Sequence, residues 1–333
     1  MIEAAIAAGD AVRGTTSPNP PVGCALYSPD GVLVATGATA PVGGPHAEVQ
    51  ALRKAGARAE GATAVVTLEP CNHTGRTGPC TEALISAGVA KVVYLTADPN
   101  PLATGGAQRL EAAGIDVRFE PYRVEALQPW ISSIRHNRVS VTAKFAMTLD
   151  GFTAAIDGSS KWITGPEARQ FVHRDRAQRD AIIVGTGTAI TDNPSLTARR
   201  PDGSLYPHQP RRVVIGTREV PEGNLRELGF LQYPTPEAAC AELWELGCRD
   251  VLVEGGANLL SSFFTRGVVD RVQAYIAPKL LGQGRSVLDA ALARTIGDAF
   301  EFKICDVHQL GEDVLIEICL LYTSDAADDV AGV

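Results

Sequence analysis

The sequence predicts an α/β protein folded as two domains, on three observations. Its 333 residues make about two domains at roughly 150 residues each, so either half can bury a core of its own. In both halves short β-branched runs alternate with amphipathic stretches, the pattern of strands joined by helical crossovers. Glycines stand just past the helical stretches of the first half, where a helix C-terminus favours a residue that accepts left-handed backbone.

Taken in order, a helical pattern over residues 1–13 closes at Gly14, and strands follow at 22–26 and 32–36. A helix over 47–55 ending at Gly56 leads to a strand at 64–68. A helix over 81–87 ending at Gly88 leads to 91–95, and one over 106–113 ending at Gly114 leads to 115–119. These elements complete a domain over 1–121. Residues 122–138, with Pro129-Trp130 inside, read as a linker. The second domain, 139–321, has strands at 139–145, 181–184, 212–215, 250–253, 271–276 and 315–320. Residues 322–333 are rich in Asp and Ala and lack an apolar face, so they are expected to be a disordered tail or a sequence artefact.

Charge and composition narrow the function classes. With 30 Lys and Arg against 38 Asp and Glu the chain carries −8, a field that repels polyanions and argues against a nucleic-acid partner. The most basic stretch, from Arg199-Arg200 to Arg211-Arg212, is broken by Pro201, Pro207 and Pro210 and reads as a loop. No apolar run reaches the ~20 residues of a membrane span, and no basic-then-apolar leader opens the chain, so a cytoplasmic protein without a membrane partner is expected. Seven cysteines, an odd and scattered set, suit thiols in a reducing compartment better than a disulfide framework.

One constellation in the first half carries specific chemistry. Pro45-His46-Ala47-Glu48 opens a helix, Pro70-Cys71 ends a strand, and Cys80 starts the next helix. His-x-Glu followed by Pro-Cys and a second Cys is the pattern of zinc deaminases. His46, Cys71 and Cys80 supply the three protein ligands of a catalytic zinc, which leaves a fourth position for water. Both cysteines are expected near helix N-termini, where the dipole favours thiolate. Zinc brings the pKa of its water to roughly 7, and Glu48 is placed as the general acid/base that carries the proton. A fourth ligand for a purely structural zinc would have to be His73. Cys24, in mid-strand, reads as a small buried residue.

The second half lacks Gly-x-Gly-x-x-Gly after its first strand, so a standard dinucleotide fingerprint is unsupported. Two other strand ends bear glycines: Val184-Gly185-Thr186-Gly187-Thr188, and Val253-Glu254-Gly255-Gly256-Ala257-Asn258, whose helix start suits a pyrophosphate. Lys144 stands on an otherwise apolar strand, where an unpaired ammonium is costly. Trp162 taken alone is a core aromatic. His136, His173, His208 and His308 stand singly and read as surface or satisfied histidines.

Longer motifs make the chain similar to a known family. Pro18-Asn19-Pro20-Pro21-Val22-Gly23, His46-Ala47-Glu48, the run from Glu69 to Cys80 and Asp98-Pro99-Asn100-Pro101 resemble the deaminase half of the bifunctional riboflavin-biosynthesis deaminase/reductases. Lys144 to Gly151, Ser160-Lys161-Trp162-Ile163-Thr164 and Asp192 to Arg199 resemble its reductase half. The resemblance spans about residues 1–320. It implies a cytidine-deaminase-like αβα domain followed by a dihydrofolate-reductase-like α/β domain. The implied chemistry is zinc-dependent hydrolytic deamination of 2,5-diamino-6-(5-phosphoribosylamino)pyrimidin-4-one, then NADPH-dependent reduction of its ribosyl to a ribityl chain.

Carried over by position, Ala146, Trp162, Thr188, Asp192, Thr217 and the turn Gly256, Ala257, Asn258, Leu259, Leu260, Ser261 and Ser262 contact NADP. Asn19, Ser160, Arg176, Leu196, Arg199 and Glu254 contact substrate, with Arg176 and Arg199 suited to its phosphate. The loop Asn72-His73-Thr74-Gly75-Arg76 offers polar groups beside the zinc. The resemblance also implies a homo-oligomer through the reductase half. Two rivals stand beside it: a nucleic-acid-editing deaminase with a binding module, and a deaminase whose second half senses nucleotides or dimerises without catalysis.

Overall fold

A strand buried at all five positions organises the first half. In a computed structural model, which describes residues 1–73, 78–100 and 105–320, the chain divides into two units, Met1–Arg138 and Val139–Val333. The first unit runs α1 (Ile2–Asp10), β1 (Gly23–Tyr27), β2 (Leu33–Ala38), α2 (Ala47–Ala55), β3 (Thr63–Val66), α3 (Cys80–Ser86), β4 (Lys91–Tyr94), α4 (Gly106–Ala112), β5 (Asp116–Phe119) and α5 (Gln128–His136). Its sheet has the order β2-β1-β3-β4-β5, with β1, the buried strand, antiparallel to both neighbours and β3, β4 and β5 parallel. The expected run of crossovers therefore begins instead with a hairpin. Its turn, closed by the Ser28 amide on the Val32 carbonyl at 2.9 Å, is too short for any crossover. Cys24 is fully buried in β1, as expected.

The segment expected as a linker is a helix that completes the first core. Leu127, Trp130 and Ile131 are buried among Leu26, Val66, Leu84, Leu95 and Leu110, and the Trp130 indole N–H donates to the Pro18 carbonyl at 3.0 Å. Pro129 was read as a break, but in the first turn of α5 it forfeits no helical hydrogen bond. Leu127, Trp130, Ile131 and Ile134 recur at three and four residues, which makes one apolar stripe.

The second unit contains β6 (Ser140–Thr148), β7 (Phe152–Ala154), α6 (Pro166–Arg176), β8 (Ala181–Gly185), α7 (Thr186–Asp192), β9 (Arg211–Ile215), α8 (Asn224–Leu228), β10 (Leu231–Tyr233) and α9 (Pro236–Glu245). It continues with β11 (Asp250–Val253), α10 (Ala257–Thr265), β12 (Arg271–Ala277), β13 (Arg285–Ser286), β14 (Phe302–Leu310) and β15 (Asp313–Leu320). Eight strands form one sheet in the order β10-β9-β8-β11-β6-β12-β15-β14. They are parallel as far as β12 and antiparallel beyond it. Val141, Ala143, Ile183, Val251 and Val253 build the core around β6.

Arg179 is buried among these strands. It bridges Asp175 at 2.8 Å and Asp250 at 2.7 Å and donates to Thr142 Oγ1 at 3.0 Å.

Strand β14 escapes sequence patterning because its alternation is broken by a bulge between Ile304 and Asp306. The bulged residue, Cys305, is joined to Cys319 on β15 as a disulfide, which corrects the expectation of thiols throughout. Cross-strand register brings the two together, and register is not visible in cysteine spacing. Five other cysteines remain free. Among the described residues no helix is long and apolar enough to cross a membrane. The expected tail at 322–333 lies outside the described residues.

Candidate active sites

In the first unit three element ends converge. His46 is the residue before α2, whose first turn carries Glu48; Cys80 opens α3. Cys71 follows β3 in a loop, not at a helix start as expected, and its carbonyl accepts the Thr81 amide of α3 at 3.3 Å. Helix α4 closes on that loop because residue 106 is glycine: a Cβ there would collide with the Pro70 carbonyl. Glu69 Oε1 accepts the Ala107 amide at 3.1 Å. His46 Nδ1 stands 3.6 Å from Cys71 Sγ and 3.3 Å from Cys80 Sγ, and the three donor atoms lie within 4.8 Å of one another. Ligands at about 2.1 and 2.3 Å from a tetrahedral zinc stand roughly 3.6 Å apart, so this donor set fits the metal.

The electrostatics agree with a cation site. Hydrogen bonding to Cys80 draws Cys71 down to about 4, while the same contact and burial push Cys80 up. A divalent cation bound there would hold both sulfurs as thiolates. The contact with Cys71 raises His46. Glu48 is buried, and burial, followed by the charge of Cys71, pushes its carboxyl above the ordinary range. A carboxyl that holds a proton nearer neutrality is suited to taking one up and returning it.

The surroundings are only partly legible. Asn19 is half-buried in a turn whose backbone is tied to Thr16 by two 3.0 Å hydrogen bonds. Asn72 accepts the Thr81 hydroxyl at 3.1 Å, and His73 is exposed; Thr74, Gly75 and Arg76 lie outside the described residues. Asp98 received no role from the sequence. Burial pushes it up to about 6 against a hydrogen bond from Asn100, with Glu69 and Cys71 adding to the push. The motif Asp98-Pro99-Asn100 was its only signal.

In the second unit two cavities meet. The larger, of about 680 Å³, is lined by Ser160, Trp162, His173, Arg176, Arg199 and Tyr275 among others. The smaller, of about 210 Å³, is lined by Thr188, Asp192, Glu254, Gly256, Ala257 and Leu260 among others. Lys144, Ala146 and Thr153 border both. Ser160, Arg176 and Arg199, expected at substrate, line the larger chamber; Thr188, Asp192, Gly256, Ala257 and Leu260, expected at cofactor, line the smaller, as does Glu254, expected at substrate. Trp162 borders the larger chamber; at 64% exposure it is no core aromatic, and the Arg169 guanidinium stacks on it at 4.4 Å. Thr217, Asn258 and Ser262 border neither chamber. Leu259 is a core residue, and Ser261 Oγ accepts the Asp289 amide at 3.0 Å. Leu196 is also buried, in left-handed backbone at φ 49°, so it offers a ligand main chain only.

Between the chambers lies an ionic cluster. The Arg176 guanidinium grips Glu254 through two bonds of 2.7 and 2.8 Å and donates to the Thr197 carbonyl at 3.1 Å. These bonds use three of its five N–H donors, and Arg176 still lines the larger chamber, where it was expected to meet a phosphate. Lys144 Nζ lies 3.8 Å from Glu254 and 5.4 Å from the Tyr275 ring centroid, which answers the cost of an ammonium on an apolar strand. Burial would push Glu254 up, but Arg176 and Lys144 outweigh it and hold the carboxylate at about 2. Burial lowers Lys144 despite Glu254.

A metal-ligand triad with a buried carboxyl in one unit, and a two-chambered cleft in a mostly parallel sheet in the other, define a zinc deaminase joined to a reductase. Comparisons with known proteins agree. The model for the cytidine and deoxycytidylate deaminase zinc-binding region matches residues 1–96, and that for the RibD C-terminal domain matches 139–316. The riboflavin biosynthesis protein RibD of Corynebacterium ammoniagenes is 59% identical over 306 residues, covering 90% of this chain and 91% of that protein. The RibD of Mycobacterium tuberculosis strain H37Rv is 45% identical over 318 residues, covering 92% and 93%. Among solved structures, Acinetobacter baumannii RibD superposes with a TM-score of 0.83 at 37% identity, over 96% of this chain and 98% of that one. A diaminohydroxyphosphoribosylaminopyrimidine deaminase/5-amino-6-(5-phosphoribosylamino)uracil reductase from Thermotoga maritima gives 0.84 at 32%, over 96% and 97%. The chain belongs to the RibD family, the bifunctional deaminase/reductases of riboflavin biosynthesis. Both rival readings of the second half fall with that match.

Proposed function

We propose that the first unit hydrolytically deaminates 2,5-diamino-6-(5-phosphoribosylamino)pyrimidin-4-one and that the second reduces the ribosyl of the product to a ribityl chain. The convergence of His46, Cys71 and Cys80 beside buried Glu48 carries the first step. When bound there, zinc supplies the Lewis acidity that makes water nucleophilic near neutral pH. Glu48 takes one proton of that water and passes it to the ring nitrogen, then carries the remaining hydroxyl proton to the amino group, which departs as ammonia. Asn19 and the loop after Cys71 hold the pyrimidine.

For the second step NADPH supplies a hydride, and this chain supplies position and charge. The smaller chamber takes the cofactor along Thr188, Asp192 and the Gly256–Ala257 helix start, and the larger takes the substrate along Ser160 and Arg199. Lys144, bordering both and held by Glu254, is placed to donate the proton that accompanies reduction. Arg199, exposed at the wall of the larger chamber, meets the phosphate, with Arg176 lining the same chamber. The protein acts in the cytoplasm as a homo-oligomer through its reductase half, where β14 presents exposed Ile304 and Val307 at a sheet edge.

Incubation of the purified, zinc-loaded chain with the aminopyrimidine phosphate, with and without NADPH, tests the whole reading by mass spectrometry. Without NADPH one amino group should be exchanged for oxygen; with it, two hydrogens should be gained as well. Reduction in the absence of any deamination would reverse the proposed order.

A further inference from the structure

The isolated histidine of α6 takes a defined place in the larger chamber. His173 Nδ1 lies 3.0 Å from the Thr197 carbonyl, and its Nε2 lies 3.3 Å from a terminal nitrogen of Arg199. A carbonyl only accepts hydrogen bonds and a guanidinium only donates them. Nδ1 must therefore carry the hydrogen, and Nε2 must be the bare acceptor. The ring has one compatible form, the neutral Nδ1–H tautomer. The Thr197 carbonyl also accepts from Arg176, so α6 is tied through two side chains to the loop that bears Arg199.

We infer that His173 is a positioning residue: it holds the exposed Arg199 guanidinium at the wall of the larger chamber, where the phosphate of the reductase substrate binds. The inference rests on the proposed role of Arg199. Three features support it. Both residues line the same chamber. Arg199 has no other polar partner among the contacts described, so without His173 a long, exposed side chain would lose rotamer freedom at the moment of binding. Burial, followed by the charges of Arg176 and Arg199, lowers His173 against a smaller opposing pull from Glu254, which keeps the acceptor form populated.

The test compares kcat/KM for the deaminated phosphoribosylamino-uracil with that for the same molecule dephosphorylated, using full-length protein and monitoring NADPH oxidation. The ratio of the two is the phosphate preference. Arg199→Ala should abolish it. His173→Ala should lower it by about tenfold, the low end for a hydrogen bond to a charged group, chiefly through KM. The double variant should fall no further than Arg199→Ala alone, and His173→Gln, which keeps an acceptor near the Nε2 position, should recover part of the loss. Residual reduction of the dephosphorylated substrate on the same preparations checks that the second unit of each variant is folded. Nitrogen chemical shifts of the labelled imidazole should report the Nδ1–H tautomer in the free enzyme. A full phosphate preference in His173→Ala while Arg199→Ala has lost it, or an Nε2–H tautomer, overturns the positioning role. A full preference in Arg199→Ala overturns the phosphate assignment on which that role depends.

Discussion

In the first unit the metal donors and their acid/base partner come from residues 46 to 80, at the ends of two helices and one strand. The chamber walls of the second unit are drawn from residues 144 to 287, on β6, β7, α6, α7, α10 and β12 and the loops between elements. A metal demands particular residue types, imidazole and thiolate, within a few ångströms. Hydride chemistry belongs to the cofactor, and the protein need only shape a cleft and place charges. A site of the first kind is therefore brittle at single residues, and one of the second kind spreads its energy over a network.

Changes at the metal set should produce the largest effects. Cys71→Ser is expected to remove zinc and deamination together while NADPH oxidation with deaminated substrate persists. Glu48→Gln should keep about one zinc per chain yet lower deamination at least ~10²-fold, within the span of general acid–base catalysis. Metal analysis beside both assays on one preparation checks each; loss of zinc from Glu48→Gln would make that carboxylate a ligand and erase the contrast between donor and proton carrier.

The network of the second unit is most exposed at Arg179. Arg179→Ala leaves Asp175 and Asp250 buried without their counter-charge, at a cost of about 3–5 kcal/mol. Denaturant unfolding should show this in the second unit, while deamination and zinc content survive at denaturant concentrations that abolish reduction. Parallel loss of both activities would mean that the two units do not unfold separately.

A gentler probe is pH. Lys144 as proton donor must be charged, so reduction should decline as pH rises through its pKa, with a midpoint below the ordinary lysine value of 10.5 because burial lowers it. Glu254 opposes that fall, so Glu254→Gln should move the basic limb to still lower pH. Its movement upward would show that Lys144 is not the group being titrated. The smallest effect belongs to Trp130→Phe, which forfeits the hydrogen bond to Pro18 and should cost about 1 kcal/mol by thermal or chemical unfolding of the first unit.

How much of this is legible in sequence follows the same division. Spacing picked out His46, Cys71 and Cys80, which the fold brings within 4.8 Å of one another, and buried Glu48, because the expected chemistry fixes residue type. Arg176 was assigned to phosphate because guanidinium suits phosphate; the fold also seats Glu254, seventy-eight positions away, against it, and no local pattern shows that. His173 was read as ordinary, and Trp162 taken alone as a core aromatic although the resemblance put it at NADP, because exposure and hydrogen-bond direction are properties of the fold. Strand β14 was hidden by one bulged residue, and α5 by a proline that a first helical turn accommodates without loss.

The seating of α5 bears on where two activities of this kind can be joined or parted. A boundary at residue 121 would leave the deaminase half with a trough where Leu127, Trp130 and Ile131 belong, and would hand the other half an apolar helix with nothing to cover it. At residue 138 both halves keep a closed interior. The join in this chain thus lies not at Pro121 but one helix further on, and splitting the gene there is the cut that costs neither product its interior.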